Sequence, residues 1–167
     1  MELTFECPGC AAVGTVAAVE LATVAVCSAC RREHALYPES FDDGTLRACG
    51  WCATEDLYLQ KDFPQGLGLA IVVIGFAIST VFWYLERPIV TYLVLLASAL
   101  LDMVLYYRVS DVTICYRCLG QHRGPGAQVA GRFRAFDLAV GERYRQERLR
   151  AEELRERQAS AKAPPTA

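Results

Sequence analysis

The stretch RACGWCATEDLYLQKDFPQGLGLAIVVIGFAISTVFWYLERP (residues 47–88) joins two things that are seldom neighbours: a Cys-x-x-Cys pair, Cys49/Cys52, and a long apolar run. Two residues between thiolates let a tight turn aim both sulfurs at one tetrahedral ion, and a second such pair is needed to close the site. The next pair, CYRC at Cys115/Cys118, comes only after 62 intervening residues. What fills that interval decides how the chain is organised.

Residues 66–85, GLGLAIVVIGFAISTVFWYL, carry no charge. About 20 such residues match the length of a helix crossing a hydrocarbon core of about 30 Å. Residues 88–107, PIVTYLVLLASALLDMVLYY, form a second run whose one charge is Asp102, with little but Glu86 and Arg87 between the two. Helices of soluble proteins keep a polar face, and these runs have none. Phe63, Phe82, Trp83 and Tyr84 mark the ends of the first run; Tyr92, Tyr106 and Tyr107 mark the second. That is the aromatic belt of a membrane interface. The reading is an α-helical transmembrane hairpin. The turn carries Arg87 alone while the flanks hold the other sixteen lysines and arginines, so both termini are expected on the cytoplasmic side. Gly68, Gly75 and Ser79 lie along one face of the first span, and Thr91, Ser98 and Asp102 along one face of the second. Gly75 is expected opposite Ser98, where small residues let backbones approach. A hairpin returns the chain to the side it left. The membrane segment therefore reads as an insertion between the two knuckles of one metal site.

All eight cysteines fall in four Cys-x-x-Cys pairs, which a scattered disulfide framework would not produce. Cys7/Cys10 and Cys27/Cys30 enclose sixteen residues, within the spacing of structural zinc modules. VGTVAAVELATVAV between them reads as two short strands. The four cysteines and the Cys-Pro-Gly-Cys knuckle resemble a zinc ribbon over about residues 3–37. Ala11 and Arg31 follow the knuckles where many ribbons have glycine. The first site is thus Cys7, Cys10, Cys27 and Cys30; the second, split one is Cys49, Cys52, Cys115 and Cys118. Spacing leaves open another pairing, Cys27/Cys30 with Cys49/Cys52 and Cys7/Cys10 with Cys115/Cys118. The sequential one lets a short segment close on its own metal, and so small a core needs metal to fold. Two Zn²⁺ per chain are expected; four thiolates suit iron as well. With four thiolates per site, His34 and His122 are expected at the surface rather than as ligands. The start of the chain, MELTFECPGC, has neither a basic segment nor an apolar one, so no cleavable signal peptide is read there, and the cysteines suit a reducing compartment.

The organisation expected is a zinc ribbon at 1–40, the first half of the split site and a membrane-entry segment at 41–65, the hairpin at 66–107, the second half of the split site at 108–132, a charged helix at 133–160 and a disordered tail at 161–167. Residues 1–66 are acid-rich and residues 108–167 base-rich. The helix has a thin apolar stripe, Val140, Tyr144, Ala151 and Leu154, and i,i+4 pairs such as Arg143–Glu147 and Arg148–Glu152. Its glutamates argue against nucleic acid as a partner. Asp102, about one turn inside its span, is a candidate functional intramembrane carboxylate. No nucleophile–base set or phosphate loop is visible, and four cysteines per metal is a closed, structural count; a non-catalytic protein is expected. The chain resembles bacterial two-span membrane proteins carrying cytoplasmic zinc ribbons. That resemblance implies a bacterial inner-membrane protein that binds a protein partner at the cytoplasmic face. A rubredoxin-like electron carrier and a thiol–disulfide exchange protein are the alternatives; CGWC lacks the βαβ surroundings of the latter.

Overall fold

The computed structural model describes residues 1–129 and 131–162, so the expected tail at 161–167 lies outside the described residues from 163 onward. The chain divides into two interleaved units. One comprises Met1–Gln60 together with the residues from Val112 onward; the other is Lys61–Asp111.

In the first unit, β1 (Glu2–Glu6) and β2 (Val13–Ala17) form an antiparallel hairpin in the register Leu3↔Val16 and Phe5↔Gly14. β3 (Val24–Val26) and β4 (Glu33–Ala35) form a second. A short hairpin of β5 (Phe41–Asp42) and β6 (Thr45–Leu46) turns through Asp43 and Gly44, at φ 46° and 72°. Positive φ at both central residues is the type I′ turn that suits strand twist, and Asp-Gly accommodates it. β7 (Leu57–Lys61), β8 (Asp111–Cys115), β9 (Gln121–Arg123) and β10 (Arg134–Ala135) complete a six-stranded sheet in the order β10-β7-β8-β9-β1-β2. The β1–β9 pairing, Leu3↔His122 and Thr4↔Gln121, merges the first hairpin with the strands that carry the second cysteine group. The 3–37 segment thus shares its sheet instead of closing alone.

Two clusters form the interior. One gathers Leu3, Phe5, Val19, Ala25 and Leu36 around Cys7 and Cys27. The other gathers Leu46, Leu57 and Ala127 around Cys49 and Cys115. Met1, Phe41 and Trp51 pack against both. A third cluster of Tyr58, Val112, Ile114 and Tyr116 receives Val140 and Tyr144 of helix α3 (Leu138–Lys162). Asp137 caps that helix by accepting the N–H groups of Ala139 and Val140 through Oδ1. The early arginines of α3 serve the fold more than the helix. Arg143 and the Tyr144 hydroxyl both bind Asp56, at 2.8 and 2.6 Å, and Arg148 donates to the Tyr116 carbonyl at 2.8 Å. These replace the partners, Glu147 and Glu152, that i,i+4 spacing suggests for Arg143 and Arg148.

The second unit is a pair of helices, α1 (Gln65–Tyr84) and α2 (Pro88–Arg108), joined through Leu85, Glu86 and Arg87. Both are long and apolar enough to cross a membrane, and few of their residues are buried. Their shared face is built of small residues. A Cβ on Gly75 would meet Ser98 Cβ at 2.9 Å, so only glycine allows this approach. Thr91 donates through Oγ1 to the Ser79 carbonyl at 3.4 Å, and both residues are buried. Gly68 faces Phe63 instead of the second helix. Lys61, the last residue of β7, and Asp111, the first of β8, form an ion pair at 2.9 Å.

Candidate metal centres

Each of the four Cys-x-x-Cys segments folds into the same knuckle. The N–H of the residue after the second cysteine donates to the carbonyl of the first: Ala11 to Cys7 at 2.8 Å, Arg31 to Cys27 at 3.0 Å, Ala53 to Cys49 at 2.8 Å, Leu119 to Cys115 at 3.0 Å. The N–H of the first cysteine donates in turn to the residue beyond: Cys7 to Ala12, Cys27 to Arg32, Cys49 to Thr54, Cys115 to Gly120. The turn demands left-handed backbone at the post-knuckle residue, and Ala11, Arg31, Ala53 and Leu119 adopt φ of 56–58°. Only glycine takes that region freely. The four non-glycine residues carry a cost of about 1–2 kcal/mol each, which the surrounding hydrogen bonds must offset.

The knuckles meet in pairs. Cys7, Cys10, Cys27 and Cys30 place their sulfurs within 4.8 Å of one another, and so do Cys49, Cys52, Cys115 and Cys118. The sequential pairing is the one the structure has. Across the knuckles, Sγ–Sγ separations are 3.7 Å for Cys7–Cys30, 3.6 Å for Cys10–Cys27, 3.4 Å for Cys49–Cys118 and 3.6 Å for Cys52–Cys115. A disulfide would need about 2.05 Å. A tetrahedron of sulfurs around an ion at about 2.3 Å has edges of about 3.8 Å, close to what is seen. Both groups therefore fit a tetrahedral metal ion, and zinc and iron fit equally.

The proton affinities of the sulfurs point the same way. Cys27 is pulled down to about 6, chiefly by the backbone N–H groups of Cys30 and Ala29. In the second group the Cys115 sulfur pushes Cys49 up and draws Cys52 down. Cys118 draws Cys115 down and is itself pushed up by it. Four crowded thiols cannot all ionise against one another; a central cation removes the conflict by replacing their protons.

The two histidines are not at the surface. His122 is wholly enclosed, and its Nε2 accepts the Gly50 N–H at 3.2 Å, inside the third knuckle. The proton then resides on Nδ1, which lies enclosed short of good hydrogen-bond geometry. Burial pushes the imidazole down to about 4, against a raising pull from the Thr113 backbone. The expectation failed because the sequence does not show that β9 lies between β8 and β1, in the middle of the sheet. His34 is half-buried, with Nε2 3.5 Å from Cys7 Sγ. Neither histidine replaces a cysteine; each braces a knuckle.

Trp51, between Cys49 and Cys52, stacks on Phe5 with ring centroids 4.3 Å apart and lies 5.0 Å from the His34 ring. One side chain thus belongs to the wall of both centres. Its position inside CGWC was visible in the sequence; its partners were not. Asp102 belongs to the other unit, on helix α2. Its Oδ1 is enclosed with no hydrogen-bond partner among the described residues, and Ser98 donates to the Leu95 carbonyl instead.

Compared with protein-family models, with curated proteins and with solved structures, the chain matches none.

Proposed function

We propose that this chain is a membrane-anchored zinc protein of the bacterial inner membrane. In this reading its two tetrathiolate centres, the first in a zinc-ribbon-like module, hold a cytoplasmic docking surface for a protein partner. The observation that carries the reading is the placement of the hairpin. It is inserted between Cys49/Cys52 and Cys115/Cys118, whose four sulfurs come together. A chain that crosses a bilayer twice returns to the side it left, so a hairpin is a membrane anchor that a split site tolerates. A single span would part the knuckles. Lys and Arg fall on the flanks and not in the turn, which supports termini in the cytoplasm. The closed, four-cysteine count at both centres supports a structural metal and a non-catalytic role. Helix α3, anchored by Arg143, Tyr144 and Arg148, leaves Leu149 and Leu154 exposed further on, and these suit contact with a protein partner.

Two measurements test the proposal. Reporter fusions after residue 110 and in the turn should place the former in the cytoplasm and the latter outside; a C-terminus outside would end the reading. Elemental analysis of detergent-purified protein should give two zinc per chain without colour. An electron carrier is the second reading, favoured by Trp51 standing against both centres. It requires iron and a red thiolate charge-transfer spectrum in the same sample.

A further inference from the structure

The two centres have the same donor set and knuckle geometry, yet their surroundings differ. In both, the first cysteine of each knuckle is buried: Cys7, Cys27, Cys49 and Cys115. The second cysteines differ. Cys52 and Cys118 are partly covered, whereas Cys10 and Cys30 are exposed. The first centre therefore presents an open edge of two sulfurs to solvent and the second does not.

The attachment of the knuckles differs in the same direction. At the second centre, Gly50 is bonded to His122 of β9, the Tyr116 N–H donates to Asp56 at 3.2 Å, and Leu46, Leu57 and Ala127 pack around Cys49 and Cys115. Its knuckles flank strands β7 and β8, neighbours in the six-stranded sheet. At the first centre, the Cys27–Cys30 knuckle joins β3 and β4, three residues each, which pair only with one another among the described strands. Buried Cys7 is braced by His34, so it is not where an incoming ligand would enter. Arg32, whose guanidinium lies over Gly9 in the middle of the first knuckle, puts a cation beside the open edge. It would favour an anionic approach.

We propose that the Cys7–Cys10–Cys27–Cys30 centre is an exchangeable metal site, open at its Cys10–Cys30 edge to soft, thiolate-bearing acceptors, while the Cys49–Cys52–Cys115–Cys118 centre keeps its ion. The step is ligand exchange. An acceptor thiolate takes the place of Cys10 or Cys30 on the ion, the displaced sulfur leaves as a thiolate and takes a proton from water, and no electrons are transferred. This rests on the reading of both groups as metal centres.

The test uses the full chain in detergent, loaded with Zn²⁺ and challenged with excess 2,3-dimercaptopropanesulfonate, the released zinc being removed and quantified against time. One equivalent per chain should leave at least ten-fold faster than the other. Pulsed N-ethylmaleimide labelling of the unsubstituted protein, read by mass spectrometry during the fast phase, should mark Cys10 and Cys30 before Cys52 and Cys118. Cys10→Ser should abolish the fast equivalent and keep the slow one, and the labelling arm stands even where that variant folds poorly. A chain that binds fewer than two ions breaks the two-centre reading itself. Two ions leaving in one phase, or first labels on Cys52 and Cys118, leave that reading intact and overturn this inference.

Discussion

In the unit that carries the cysteines, Leu3 and Leu46 are wholly enclosed; in the hairpin, Ile74 and Phe76 stand 58% and 68% exposed. Both units are rich in the same aliphatic and aromatic residues and turn them in opposite directions. The β unit hides apolar area from water, at about 25 cal/mol per Å², but its strands are short and its clusters small. Ions held by the two cysteine groups would supply what such cores cannot. The positions the hairpin buries are small ones, Gly75, Ser79 and Thr91, while large residues such as Ile74 and Phe76 stand outward. That arrangement is stable where the surroundings are themselves apolar. In the membrane reading, one unit would be held by what it encloses and the other by what encloses it.

Metal removal strikes at that contrast hardest. Structural zinc contributes about 10–16 kcal/mol of apparent binding free energy in small domains. Stripping the ions under reducing conditions should therefore unfold the β unit while the hairpin stays helical in detergent. Circular dichroism with limited proteolysis checks this, and simultaneous loss of both signals would break the idea of two separately held units. Next in size is His122. Its folded pKa of about 4 lies below the usual value of 6.5, so the neutral ring favours the folded state. That stability is fully present above pH 6.5 and is lost as pH falls toward 4, by about 3 kcal/mol. Gln at this position keeps an acceptor for Gly50 but does not titrate. Urea midpoints of the wild type and His122→Gln should diverge across that window, and parallel curves would remove the imidazole from the account. In the hairpin, Gly75→Leu should cost about 1–3 kcal/mol by overpacking. Gly66→Leu, where nothing lies within 4 Å of the added carbon, should cost little. Equal thermal shifts in detergent for the two variants would deny the close helix contact. The smallest effect is at a knuckle. Arg31→Gly relieves a left-handed residue whose side chain is exposed, and should stabilise the zinc-loaded protein by up to about 1 kcal/mol. A fall in the unfolding temperature would mean that the Arg31 side chain contributes more than its backbone strain costs.

The elements with local signatures were legible in the sequence. Residues 66–85 and 88–107 became Gln65–Tyr84 and Pro88–Arg108, because a run of twenty apolar residues has few other outcomes. The knuckles were legible for a similar reason: two residues between cysteines set the turn. The pairing of Cys49/Cys52 with Cys115/Cys118 was the preferred of two that spacing left open, and the structure has it. What lay hidden was the contact between modules. Nothing local in ELT or QHR announces the β1–β9 ladder, since strand partners are chosen by complementarity across the fold. His122 was misplaced because it belongs to that ladder. The partners of Trp51 and Asp56, namely Phe5, His34, Arg143 and Tyr144, were hidden likewise, because they lie far along the chain. The segment at 41–65, read as half a metal site and a membrane entry, also includes β7, a strand inside the sheet.

The interleaving of the units also imposes a calendar on biosynthesis. The first cysteine group is complete in the nascent chain once Cys30 has emerged, but the second must wait for Cys118, with both apolar helices made in between. At about 5–20 residues per second, Cys49 and Cys52 spend on the order of 3–13 seconds as an open half-site. A hairpin lodged with only one helix across the bilayer would hold the knuckles on opposite sides, and the second ion would never find its four sulfurs. In the membrane reading proposed here, the second centre would thus be a receipt for correct insertion: a chain carrying its second ion would be one whose hairpin has come home.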